Sequence, residues 1–193
     1  SLTLIQRLFT DEEVDFQGKH FSAKGLKLSM KPVQRPRPAM WYGGSVANAV
    51  ARAAELADPS LGDSWVASSH LVADVITKQA GVFQDRLDEL GKSRPQEFPL
   101  LRNIVVAEDR ETALRDAGPF LEASYRIFGQ WGLFTGPVGG DKEQLDIEEL
   151  IEGRVIIGSP EECVEQLVVL KEGTNLTRLV ARVQWLGMDQ DIV

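Results

Sequence analysis

Apolar positions along the chain alternate between a helical and an extended period. Leu2, Leu4, Ile5, Leu8 and Phe9 share one side of an opening amphipathic helix. A polar stretch with Gly18 and Gly25 follows, and then Pro32, Pro36 and Pro38, which exclude both a helix and a central strand and leave an extended connector. Residues 39–43 read as a short strand ending at Gly43-Gly44, after which Ser45 caps a helix carrying Val46, Ala49, Val50, Ala53 and Ala57. Residues 64–68 read as a second strand. Leu71, Val72, Val75, Ile76, Phe83, Leu87 and Leu90 then mark a long helix stopped by Gly91.

A third strand is expected over 100–107. The helix after it begins near 108–111, carries Ala113, Leu114, Ala117, Leu121 and Tyr125, and should kink or split at Gly118-Pro119. The glycines of 129–140, with Pro137, predict an irregular excursion. In Gly158-Ser159-Pro160-Glu161-Glu162, Ser159 can cap, Pro160 suits the first helical position and Glu162 can close a capping box. Val164, Leu167, Val168 and Leu170 give that helix its apolar face, Gly173 its stop, and 177–185 a final strand.

Strands interleaved with amphipathic helices demand parallel pairing, because each return to a sheet needs a crossover. Four strands in 193 residues suit a small doubly wound α/β domain or half of an eight-stranded barrel, and periodicity does not separate the two. A net charge of −8, with 29 acidic and 21 basic residues and no basic cluster, argues against nucleic acid as a partner. No apolar run spans a bilayer and the N-terminal helix lacks the form of a signal peptide, so neither membrane nor export is expected. The single Cys163, without a nearby cationic cluster, reads as a buried spectator and fits a reducing, cytoplasmic setting.

The segment Gly43-Gly44-Ser45-Val46-Ala47-Asn48 joins the C-terminal end of a strand to the start of a helix, where free amides and the helix dipole favour an anion. On the residues alone, a glycine turn with an ordinary cap is the better reading. Trp41, Trp65 and Trp185 belong to strand regions and suit core packing. Trp185, near the end of the last strand, is also a substrate-pocket candidate, as is Arg102, while Arg182 is a further strand charge in need of a polar layer. His20 and His70 lack the base-plus-orienter pattern of a catalytic imidazole. The aromatic, glycine-rich stretch 125–140 reads as a lid, a dimer contact or an insertion. No phosphate-binding P-loop, zinc spacing or nucleophile elbow is present.

Taken in order, Gln34-Arg35-Pro36-Arg37-Pro38, Met40-Trp41-Tyr42-Gly43-Gly44-Ser45, Gly62-Asp63-Ser64-Trp65 and Val155-Ile156-Ile157-Gly158-Ser159-Pro160-Glu161-Glu162 resemble the second half of bacterial-luciferase-like monooxygenases. The resemblance implies the C-terminal half of a (β/α)8 TIM barrel: residues 1–38 as a connecting helix and loop, and 39–193 as the last four β/α units with an insertion near 126–150. It implies FMN, or a deazaflavin coenzyme, as cofactor, with Gly43, Gly44, Ser45, Val46 and Asn48 at its phosphate. The implied activity is oxidation of a small organic substrate by reduced flavin and oxygen, with a flavin reductase as a possible supplier. Deazaflavin-dependent hydride transfer and a non-catalytic oligomerising module are the alternatives. A half-barrel would have open edges, so a homodimer or larger homo-oligomer, inactive in isolation, is expected.

Overall fold

In the computed structural model, residues 2–133 and 147–192 are described. Helix α1 (Leu2–Thr10) leads into an antiparallel hairpin of β1 (Val14–Gln17) and β2 (Ser22–Leu26), an element the polar pattern of this stretch did not announce. After the connector come β3 (Trp41–Gly43), α2 (Ala47–Leu56), β4 (Ser64–Val66), α3 (Ala73–Glu89), β5 (Pro99–Val106) and α4 (Arg110–Gln130). The chain closes with α5 (Ile147–Ile151), β6 (Val155–Gly158), α6 (Pro160–Thr174) and β7 (Arg178–Arg182).

Every pairing from β3 onward is parallel: β3 with β4, β5 with both β6 and β7, and a single bridge, Ala67 to Leu100, joining β4 to β5. The Leu101 amide donates to Ala67 and the Ala107 amide to Gly158. Odd-numbered residues of β5 thus serve both neighbours, so β4 and β6 share one edge of β5, end after end, and β7 takes the other. The four expected strands run in the order β3, β4, β5, β7, and β6 is a fifth parallel segment. That count corrects the sequence reading, which took the four apolar residues 155–158 only as the approach to a helix. All four are buried, and the Gln166 carboxamide bonds both the amide and the carbonyl of Ile157, closing the free edge of β6.

Alternation of side chains then sorts the strands into two faces. Tyr42, Trp65, Ala67, Leu100 and Ile156 pack with Val50, Ala53, Ile76, Phe83, Leu87 and Leu170 of helices α2, α3 and α6, forming the larger core. On the opposite face, Val105, Val155 and Ile157 pack under Ala113, Ala117, Leu121 and Tyr125 of α4, with Trp185 and Met188 beside them. Leu101 and Val180, paired on this same face nearer the N-terminal ends of the strands, are partly exposed. This is an α/β arrangement of parallel strands, with helices α2, α3 and α6 on one face and α4 on the other.

Three boundaries differ from the sequence reading. Helix α4 passes Gly118-Pro119 without splitting. Pro119 is exposed, so water can take the carbonyl it leaves unbonded. Helix α3 starts at Ala73 rather than near His70, with Leu71 buried in the approaching turn. The last strand ends at Arg182, before Trp185. The excursion expected over 129–140, and the insertion near 126–150, lie in large part outside the described residues. Within them, 126–130 belong to α4 and 147–150 to α5.

Candidate functional site

The turn after β3 is built by close packing. A Cβ on Gly44 would stand 3.0 Å from the Ala49 Cβ and 3.1 Å from the Ala49 carbonyl carbon, so any side chain here would push the turn and the helix apart by a few tenths of an ångström. The indole nitrogen of Trp65 on β4 donates to the Gly44 carbonyl at 2.8 Å and holds the turn from the neighbouring strand. Gly43 meets no such crowding.

Ser45 is not the cap of α2. The N-cap is Val46, extended at φ −121° and ψ 152°, and it makes no side-chain capping bond. The turn continues one residue further, with Gly44 held between Trp65 and Ala49 and the first helical residue at Ala47. In consequence the amides at the start of α2 point from the C-terminal end of β3 without a side-chain acceptor, and Gly43, Val46 and Asn48 are exposed while Gly44 and Ser45 are half-buried. That is the geometry an oxyanion requires: free N–H donors, positive helix end, and a glycine where a ligand or backbone must come close.

The other sequence candidates separate. Arg102 lies on the helix-covered face, 1% exposed, and its Nη1 donates to the carbonyls of Leu71 at 2.9 Å and Arg154 at 3.0 Å, with longer contacts to Ser69 and Gly153. Trp185 lies on the opposite face, buried, with the Arg182 guanidinium 5.3 Å from its ring centre. The two therefore do not share a pocket wall. Trp65 is core, stacked on Phe98, whereas Trp41 is partly exposed on the face opposite Tyr42. His70 is buried with Nδ1 2.9 Å from the Ser68 hydroxyl, and burial, followed by the Arg154 charge, lowers its pKa. Cys163 is buried, and burial raises its thiol pKa. Of the aromatic stretch 125–140, Tyr125 is buried in α4 and Trp131 is 69% exposed; Phe134 onward lies outside the described residues.

Asn103 was not singled out in the sequence, hidden beside Arg102 in an apolar strand. It is fully buried on the face covered by α4, paired in register with Arg182, and its Nδ2 donates to the Tyr125 hydroxyl at 3.2 Å. The signal was present in its parity, odd-numbered with Leu101 and Val105. A second unannounced feature ties the connector to the site: Arg37 and Asp63 form a buried bidentate pair at 2.8 and 2.7 Å, and Asp63 also accepts the amides of Met40 and Asp58. Asp63 thus fixes the entry to β3 and the entry to β4 together. Among the described residues no three His, Cys, Asp or Glu side chains converge as metal ligands, and no helix is long and apolar enough to cross a membrane.

The sequence profile of a family described as luciferase-like monooxygenase matches residues 1–176. Among solved structures, a monooxygenase from Streptomyces bottropensis is similar with a TM-score of 0.72 and 17% identity, over 99% of this chain and 54% of that one. The oxygenating constituent of 3,6-diketocamphane monooxygenase from Pseudomonas putida, a type II Baeyer-Villiger enzyme in complex with FMN, gives 0.70 and 19% over 95% and 54%. A coenzyme F420-dependent secondary alcohol dehydrogenase gives 0.67 and 18% over 93% and 53%. The chain spans about half the length of each.

Proposed function

The chain belongs to the luciferase-like monooxygenase family, and from that premise we propose that the turn Gly43–Asn48 holds the phosphate of FMN in an enzyme that oxidises a small organic substrate with oxygen. The observation that carries this reading is the uncapped start of α2 behind Gly44. The amides of Gly44, Ser45 and Val46 and the Ser45 hydroxyl donate to the phosphate, and Asn48, one turn into the helix, lies within reach of it. The flavin supplies the redox chemistry when bound. The chain's own residues bind and orient it: the Trp65 bond to Gly44 fixes the turn, and the Arg37–Asp63 pair fixes the strand that delivers it. On the face opposite α2, α3 and α6, α4 with Tyr125, together with Trp185, shields the C-terminal ends of β5 and β6 from water, as oxidation by a reactive reduced cofactor requires.

A deazaflavin coenzyme is the second reading, favoured by the likeness to the F420-dependent dehydrogenase. Both readings place a phosphate at the same turn, so one substitution tests that part of either. In the full-length protein, Ser45→Asp sets a carboxylate against the phosphate and is expected to weaken FMN or deazaflavin binding by about tenfold or more, one charged contact being worth at least about 1.4 kcal/mol. Unchanged affinity for both coenzymes would reject the assignment. Which of the two the purified protein takes from an equimolar mixture, read by absorbance, decides between them.

A further inference from the structure

Trp65 is fully buried on β4. Its ring is stacked on Phe98, with centres 5.6 Å apart, and leans on Phe83 at 6.5 Å, so neighbours on the core side hold it in place. The indole N–H is the one hydrogen-bonding group this side chain has. It is spent on the Gly44 carbonyl at 2.8 Å, so that carbonyl points into the core.

The direction of one end of a peptide dictates the other. Among the described residues the cis peptide bond is Arg35-Pro36, so Gly44-Ser45 is trans. In a trans peptide the C=O and the N–H that follows it point in opposite directions. A Gly44 carbonyl aimed at Trp65 therefore aims the Ser45 amide away from Trp65 and out of the core. Among the described residues no backbone carbonyl accepts that amide, and Ser45 is half-buried, with Val46 exposed after it. Two adjacent glycines, Gly43 and Gly44, would otherwise leave this peptide plane free to turn.

We infer that Trp65 is a positioning residue for the phosphate: its indole N–H locks the Gly44-Ser45 peptide in the orientation that presents the Ser45 amide to the anion. This rests on the reading of the Gly43–Asn48 turn as a phosphate site. Without the indole bond the peptide plane can turn, and the cost of ordering that donor falls on ligand binding. The two ends of the peptide also act on each other. An anion on the Ser45 N–H polarises the peptide and makes the Gly44 oxygen a stronger acceptor, so the Trp65 bond tightens when the turn is occupied. If the bond served only to satisfy a buried indole, phosphate would bind as well without it.

The test uses the full-length protein and compares FMN with riboflavin, which has the same ring system and no phosphate. Trp65→Phe keeps an aromatic ring in the core and removes the N–H. It is expected to weaken FMN binding by about tenfold and to leave riboflavin binding unchanged, whereas a loosened core would weaken both alike. Equal weakening of the two, or an FMN preference that survives in Trp65→Phe, would overturn the role of Trp65 and leave the phosphate turn standing. A parent protein that binds the two flavins equally would reject the turn itself, and the inference with it. Should the variant unfold, the parent decides. The indole N–H resonance of Trp65, assigned through its contact with Phe98, should move downfield on adding FMN and stay in place with riboflavin. No FMN-specific movement of that resonance would overturn the inference.

Discussion

Asp63 shows how much one buried residue can organise. Its carboxylate is fully buried, accepts two bonds from Arg37, and anchors the amides of Asp58 and Met40. Burial alone would raise its pKa, but the Arg37 guanidinium and the two amides outweigh it and hold the group below its ordinary value. The folded state therefore binds this proton less readily than the unfolded chain does. The pair's contribution is present above the unfolded carboxylate range and is lost as pH falls through the lower folded value. Asp63→Asn should destabilise the protein at neutral pH by about 3–5 kcal/mol, as breaking a buried pair does. Melting temperatures from pH 6 down to pH 3 should then fall less steeply for the variant than for the parent; parallel curves would remove Asp63 from this role. The Gln34–Pro38 segment was read in the sequence as an extended connector. That its Arg37 meets Asp63, 26 positions on, was not legible, because a buried ion pair leaves no periodic trace.

At the scale of elements, the helix starts separate what composition encodes from what packing imposes. Ser159 accepts the Glu162 amide at 3.2 Å and Glu162 returns a bond to the Ser159 amide, so α6 begins where Ser159-Pro160 dictates. Ser159→Ala should cost about 1 kcal/mol, measured by urea unfolding, and a change near zero would mean that packing alone sets this end. Helix α2 obeyed no such code. Ser45 has the chemistry of a cap, yet Gly44 is pinned by Trp65 and Ala49, and Val46 takes the position instead. A residue with capping chemistry left uncommitted at a helix start is what an anion site requires, so the failure of the local rule falls at the candidate site. β6 escaped notice for a related reason: four residues are too few to show alternation, and burial on both faces removes it altogether.

At the scale of the whole molecule, the parallel sheet has consequences for association. Among the described residues, the outer edges of β3 and β7 pair with no other strand. Leu101, Val180 and Trp41 show 36–38% exposure on the face opposite the main helices. Unpaired edges beside exposed apolar side chains favour pairing with another sheet. The isolated chain is expected to form a homodimer or larger assembly, with weak or no flavin binding, since one turn supplies phosphate contacts but not a closed pocket. Light scattering after size exclusion, with FMN titration of the same sample, checks this; a monodisperse monomer binding one FMN tightly would contradict both parts.

What the sequence determined by itself is what local chemistry and period encode. Alternating apolar patterns demanded parallel strands with crossover helices, Ser159 and Glu162 fixed the start of α6, and the ordered motifs from Gln34 to Glu162 identified the family. Tertiary structure decided which face each residue serves. Arg102 and Asn103 are neighbours in sequence, but the pleat sends one beneath the helices to clasp the Leu71 and Arg154 carbonyls and the other toward Tyr125. Trp185, like Arg102 a substrate-pocket candidate in the sequence, lies on the opposite side of the sheet. Register, burial and pairing between distant segments depend on contacts the chain makes only once folded, and so the turn after β3 was legible in outline, while its uncapped amides emerged only from the packing of Gly44 against Ala49.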